Sequence, residues 1–123
     1  MTFTLPWPPS GNAMKAAVRG RMVKTKRART YASAAASIAL SQGVRPIPRS
    51  VPVSVSYSFY YDPQRRADLD NLVKTVQDAL TGVAFNDAAQ VTQLACKKRY
   101  ALEGEQPGVL VTLTSAGQEA VCD

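Results

Sequence analysis

The sequence predicts a small α/β (α+β) fold: a mixed sheet of about four strands and two main helices, in the order strand, helix, strand, helix, strand, strand. Three observations carry that expectation. Residues 51 to 61 alternate strictly, with Val51, Val53, Val55, Tyr57, Phe59 and Tyr61 on one face and Pro52, Ser54, Ser56, Ser58 and Tyr60 on the other. This period of two is the mark of a half-buried strand. From Leu69, apolar residues return at helical spacing as Leu72, Val73, Val76, Ala79 and Leu80, with Gly82 as the stop. A chain of 123 residues, 46% of them hydrophobic, suits a single domain over residues 1–123 and excludes a disordered polycation.

The remaining elements follow in order. Thr2 to Leu5 reads as a short strand, halted by Pro6, Pro8 and Pro9, which donate no backbone hydrogen bond and so belong to an edge or a rigid loop. Trp7, between prolines, caps the core or stacks on a base, and the core cap is the preferred reading. Residues 11–29 lack periodicity and contain Gly11 and Gly20, which predicts a mobile basic loop. From Thr30, the spacing of Tyr31, Ala34, Ala35, Ile38 and Ala39 predicts a helix stopped by Gly43. GVRPIPRS is a linker to the alternating strand, which Asp62-Pro63 turns into the second helix, about Leu69 to Thr81. Val91 to Tyr100 and Val109 to Thr114 are expected as strands, joined as a hairpin by the polar turn EGEQPG.

The net charge of +6 comes from 15 basic and 9 acidic residues, yet residues 1 to 50 hold 9 of the bases and no acid. Seven bases, Lys15, Arg19, Arg21, Lys24, Lys26, Arg27 and Arg29, lie close together. Such a segment is the electrostatic footprint of nucleic-acid binding, because each neutralised phosphate releases counterions. A solvated arm or a contact for anionic lipid is the plainer alternative. The chain has no histidine. That excludes a Ser-His-Asp triad and imidazole-ligated zinc, and leaves hydrolysis to carboxylates, lysine and a hard metal. Cys96 and Cys122 form no CxxC pair and are expected to be reduced and incidental. With no apolar run of roughly 20 residues and no signal peptide, a cytoplasmic protein is expected.

The chemistry concentrates in RRADLDNLVKTVQDALTGVAFNDAAQV, residues 65 to 91. Asp68 falls where an N-cap belongs, Asp70 lies in the first helical turn, and Lys74 follows four residues later. A structural reading explains all three: the cap accepts an orphan N–H, acids favour the positive helix end, and Asp70 with Lys74 makes an i,i+4 pair. The functional reading is that two carboxylates a turn apart or less bind Mg²⁺, which shares its coordination with water and substrate phosphate. Asp87 is the candidate third acid, Lys74 would offset charge on phosphorus or orient water, and Arg65 and Arg66 would hold the DNA backbone.

TLPWPPSGN at residues 4 to 12, DPQRRADLDNLVKTVQDAL at 62 to 80 and the FNDAAQV that follows resemble the RusA family of Holliday junction resolvases, often carried by phages and prophages. The similarity runs from about residue 2 to residue 115. It implies a small α/β homodimer that binds four-way DNA junctions, depends on Mg²⁺ with Mn²⁺ as a substitute, and nicks two strands symmetrically. Asp68 and Asp70 match the first two catalytic carboxylates of the family and Lys74 its essential lysine. The acidic turn of the family reads close to Asp-Asp-Ala-Gln-Val. Here it reads Asp87-Ala88-Ala89-Gln90-Val91, with Ala88 at the position of the third carboxylate.

Three functions remain open at this point. The leading one is a structure-selective endonuclease resolving four-way junctions in recombination and repair within a bacterial cell, its cleavage impaired by Ala88 unless Asp87 takes over. The second is a non-catalytic dimer that binds branched DNA. The third is a prophage interaction protein whose basic arm meets an acidic partner.

Overall fold

The computed structural model describes residues 1–9, 15–18, 21–24, 26–64 and 68–115. The elements are β1 (Thr2–Pro6), β2 (Lys15–Val18), β3 (Arg21–Lys24), α1 (Lys26–Ser41), β4 (Val53–Tyr61), α2 (Leu69–Leu80), a 3₁₀ turn (Ala88–Gln90), β5 (Val91–Tyr100) and β6 (Gly108–Ser115). The expected main-sheet order of strand, helix, strand, helix, strand, strand is present, with the β2–β3 pair inserted before α1.

Alternation makes β4 the spine of the sheet. Val53, Val55, Tyr57, Phe59 and Tyr61 are buried, while the serines between them are half-buried. The sheet order is β1-β6-β4-β5. β4 runs antiparallel to β6 and parallel to β5, and β1 is antiparallel to β6. The parallel pair needs a crossover, which α2 supplies. Leu72, Val73, Val76, Ala79 and Leu80 of α2 join Tyr31, Ala35 and Ala39 of α1 in one core with the inner face of the sheet. Burying each large apolar side chain there contributes roughly 1.5–3 kcal/mol.

Two expectations are corrected. The segment 11–29 was expected as a loop, yet it contains β2 and β3, which pair antiparallel from Lys15↔Lys24 to Val18↔Arg21. The helix also begins at Lys26, ahead of Thr30, because Ala28 extends the buried stripe of Tyr31, Ala35 and Ala39 one turn back. The second correction concerns the last two strands. β5 and β6 were expected as a hairpin, but β4 lies between them. Val109, Val111 and Leu113 make β6 the apolar, fully interior strand, whereas every residue of β5 after Val91 is exposed. A basic strand is tolerated at an edge and an apolar one is not.

The opposite edge, β1, is covered by a side chain. The Gln42 amide donates to the Thr4 carbonyl at 2.8 Å and accepts from the Thr4 N–H at 3.0 Å, replacing a neighbouring strand. Gly43 takes φ 85° just after α1, where the chain turns so that the Val44 N–H reaches the Ala39 carbonyl. Trp7 packs against the core, stacked on Tyr61 at 5.6 Å and edge-on to Phe59 at 6.2 Å. No helix among the described residues is long and apolar enough to cross a membrane.

Candidate active site

Asp68 occupies the N-cap position of α2 with extended backbone (φ −85°, ψ 123°), and its carbonyl accepts the first helical bond from Leu72 N–H at 3.0 Å. Its side chain makes no capping hydrogen bond. Among the described residues, Asp70 and Lys74 form no ion pair either. The capping hydrogen bond and the i,i+4 pair therefore go unrealised, and of the structural explanations only the favourable position at the positive helix end remains. Two exposed carboxylates stand at the positive end of a helix of 12 residues, with an exposed ammonium a turn further on.

Asp70, Lys74, Gln77 and Asp78 share the side of α2 that faces Leu94 and Cys96 of β5 across an open groove of about 540 Å³. Tyr57 O–H, at the centre of the sheet, donates to Gln77 Oε1 at 3.3 Å and links the helix to the sheet beneath the groove. The groove persists because β5 is an edge strand and only one flank of α2 packs on the sheet. Cys96 is an exposed free thiol there.

The acidic turn is built differently. Asp87 caps the 3₁₀ turn: its Oδ1 accepts from Ala89 N–H at 3.0 Å. The buried Gln90 completes a capping box, with Oε1 accepting from Asn86 N–H at 2.8 Å and Asp87 N–H at 2.9 Å. Its amide donates to the carbonyls of Pro48 at 2.7 Å and Val51 at 2.9 Å, tying the turn to the linker before β4. Ala88 is exposed. Gln90, read from sequence only as part of a motif, is the organising residue of this turn, and its spacing three after Asp87 was the available signal.

The chain does not bring Asp87 or Ala88 to Asp68 and Asp70. α2 leaves from the end of β4 at Tyr61 and returns to the opposite end, where Val91 pairs with Val53. The two acidic groups are thus separated by the length of α2, about 18 Å at 1.5 Å per residue. Among the described residues no three acidic or thiol side chains gather to hold a metal. Asp68 and Asp70 by themselves offer hard oxygen donors suited to Mg²⁺, which needs only one or two carboxylates beside water and phosphate.

Of the expected DNA-binding residues, Lys26, Arg27 and Arg29 lie on the exposed first turn of α1. Lys15, Arg21 and Lys24 belong to β2 and β3, their side chains outside the described residues. Arg19, Arg65 and Arg66 also lie outside the described residues. A second basic group was missed: Lys97, Lys98 and Arg99 on β5. Three successive bases in a strand cannot all face a core, so the run itself signalled a two-sided exposed edge. Arg99 is engaged, donating to both Glu105 carboxylate oxygens at 2.8 and 3.0 Å. That contact and the Leu102 N–H hold the Glu105 carboxyl down at about 2.

Comparison with known proteins identifies the family. The family described as endodeoxyribonuclease RusA matches residues 6–114. The chain is 34% identical over 119 residues to a crossover junction endodeoxyribonuclease RusA of Escherichia coli K12, covering 96% of this chain and 97% of that protein. The same description belongs to a Shigella sonnei relative at 33% identity over the same length. An Enterobacteria phage 82 relative is 34% identical over 118 residues, covering 95% and 96%.

Proposed function

The chain belongs to the RusA endodeoxyribonuclease family, and on that footing we propose that it is a Holliday junction endonuclease acting on branched DNA in the bacterial cytoplasm. In this reading it works as a two-fold dimer, with Mg²⁺ or Mn²⁺, during recombination and repair. The observation that carries the reading is the uncommitted pair Asp68 and Asp70, exposed at the start of α2 with Lys74 one turn beyond.

Mechanistically, Asp68 and Asp70 would hold Mg²⁺, which supplies phosphoryl polarisation and a lowered water pKa when bound. The Lys74 ammonium offsets negative charge as it develops on the phosphoryl oxygens. Lys26, Arg27 and Arg29 attract the phosphate backbone, so affinity follows ionic strength. The shape of the four-way junction, read across two subunits, supplies selectivity.

The separation of the acidic groups supports a dimer with shared sites. A two-fold axis that sets α2 and β5 antiparallel to their copies reverses their ends. Position 88 of the partner subunit then approaches Asp68 and Asp70, and each dimer holds two equivalent sites, as paired incision requires. The capping role of Asp87 supports position 88 as the third-carboxylate position, and Ala88 therefore as a missing ligand. That same alanine favours a second reading, a non-catalytic dimer that captures junctions without cutting them.

The deciding experiment incubates the protein with a labelled four-way junction, with and without Mg²⁺, alongside linear duplex of equal length. Selective binding with Mg²⁺-dependent paired nicks, slow in this chain because of Ala88, supports the resolvase. Selective binding without nicks supports the second reading, and equal affinity for both DNAs removes both.

A further inference from the structure

At the end of the sheet where α2 begins, β4 and β5 present an aromatic group that the proposed chemistry does not use. Tyr100 pairs with Tyr61 and Lys98 with Phe59, so Tyr100 and Lys98 project on the face of the sheet that α2 covers. Tyr61 is buried, stacked on Trp7 at 5.6 Å and 23°. Tyr100 sits edge-on against Tyr61 at 5.4 Å and is nonetheless 60% exposed. The Ala101 N–H donates to the Tyr61 carbonyl at 2.8 Å, which fixes the backbone directly after Tyr100. The Lys98 ammonium lies 5.8 Å from the Tyr61 ring centroid.

A lone exposed aromatic needs no explanation. This one is held from beneath, stands beside a cation, and occupies the C-terminal end of a parallel strand pair, where ligands of open α/β sheets bind. It also shares that end with Asp68 and Asp70. We propose that Tyr100 is a stacking platform for a nucleobase unpaired at the branch point of the junction, with Lys98 holding the adjoining phosphate. The proposal rests on the junction-nuclease reading and adds a subsite to it. A base turned out of the duplex stacks on the open Tyr100 face; Trp7 and Tyr61 keep that face in place. Such stacking tolerates any base, so it selects for branched form over sequence.

The test measures binding of the full chain to a four-way junction carrying 2-aminopurine at the branch point, in EDTA, with linear duplex as control. Tyr100→Ala and Tyr100→Leu should weaken junction binding roughly 5- to 100-fold and leave duplex binding unchanged. Tyr100→Trp should retain it. The 2-aminopurine emission change on binding should vanish in Tyr100→Ala, and Lys98→Gln should lower the salt slope by roughly one. If the parent prefers junctions and Tyr100→Ala binds them equally well, the platform is refuted and the nuclease reading stands. If Tyr100→Ala instead halves the mass in solution, the residue belongs to a subunit contact and the platform is refuted. A parent with no preference for junctions overturns both.

Discussion

Gln90 Oε1 accepts the Asp87 backbone N–H at 2.9 Å, while the Asp87 carboxylate caps the same 3₁₀ turn through Ala89. The pair closes a capping box in which the Asp87 side chain has a structural duty and Ala88, beside it, has none. Adjacent positions in one turn are thereby assigned different work.

The first prediction separates them. Ala88→Asp should raise Mg²⁺-dependent junction nicking by on the order of 100-fold or more, as expected for restoring a metal ligand. Asp87→Asn in that background should leave nicking nearly intact, because Asn caps as well as Asp. Brisk cleavage by the parent that Asp87→Asn abolishes would place the third ligand at Asp87.

Subunit mixing tests the shared site. The parent lacks a carboxylate at position 88, and a D70N/A88D double variant lacks one at 70. Either alone should be nearly inert. Co-refolded, they should form heterodimers with one complete site and make single nicks, since Asp70 of one chain meets the carboxylate at 88 of the other. Sites confined to one chain predict no recovery.

Gln90→Leu should destabilise the fold by roughly 2–3 kcal/mol in urea unfolding with an unchanged denaturant slope, because it strands buried backbone groups at both ends of the side chain. The acids on α2 are not in contact with this turn, so far-ultraviolet circular dichroism of the folded variant should match the parent. A change below about 0.5 kcal/mol, the range of ordinary surface substitutions, would show the clip to be dispensable.

Acid titration should expose the Arg99–Glu105 contact. The Glu105 carboxyl is held at about 2, below its ordinary 4.5. A lowered value in the folded state means a stabilisation present above pH 4.5 and lost as pH falls toward 2. Melting temperatures of the parent and Glu105→Gln should differ near neutrality and converge at pH 2. Both residues reach solvent, so the difference should be small and should shrink in high salt. Parallel melting curves across that window would contradict the assignment.

Salt dependence tests the first turn of α1. Replacing Arg27 and Arg29 with Ala should reduce the slope of log affinity against log salt by roughly 0.9 for each phosphate that is no longer neutralised. An unchanged slope in the double variant would move the phosphate-binding surface elsewhere, with the Lys97–Lys98 edge the next surface to probe.

What the sequence determined by itself was local. Strict alternation identified β4, the apolar stripe identified α2, and Asp68 stands at the N-cap that its residue type and position predicted. These follow from side-chain period and chain-end hydrogen bonding, which reach only a few residues. The tertiary structure decided what depends on distant partners. A polar turn announces a reversal but cannot name the neighbour, and β4 separates β5 from β6 because the more apolar strand takes the interior. The β2–β3 pair was within reach of sequence, as Val18 and Arg21 are joined by only two residues, one of them Gly20; the density of charge obscured it. Most consequential is the distance between Asp70 and Asp87. Seventeen residues of sequence look close, but a straight helix converts the intervening chain into length, and so carries the two carboxylates to opposite ends of the same layer.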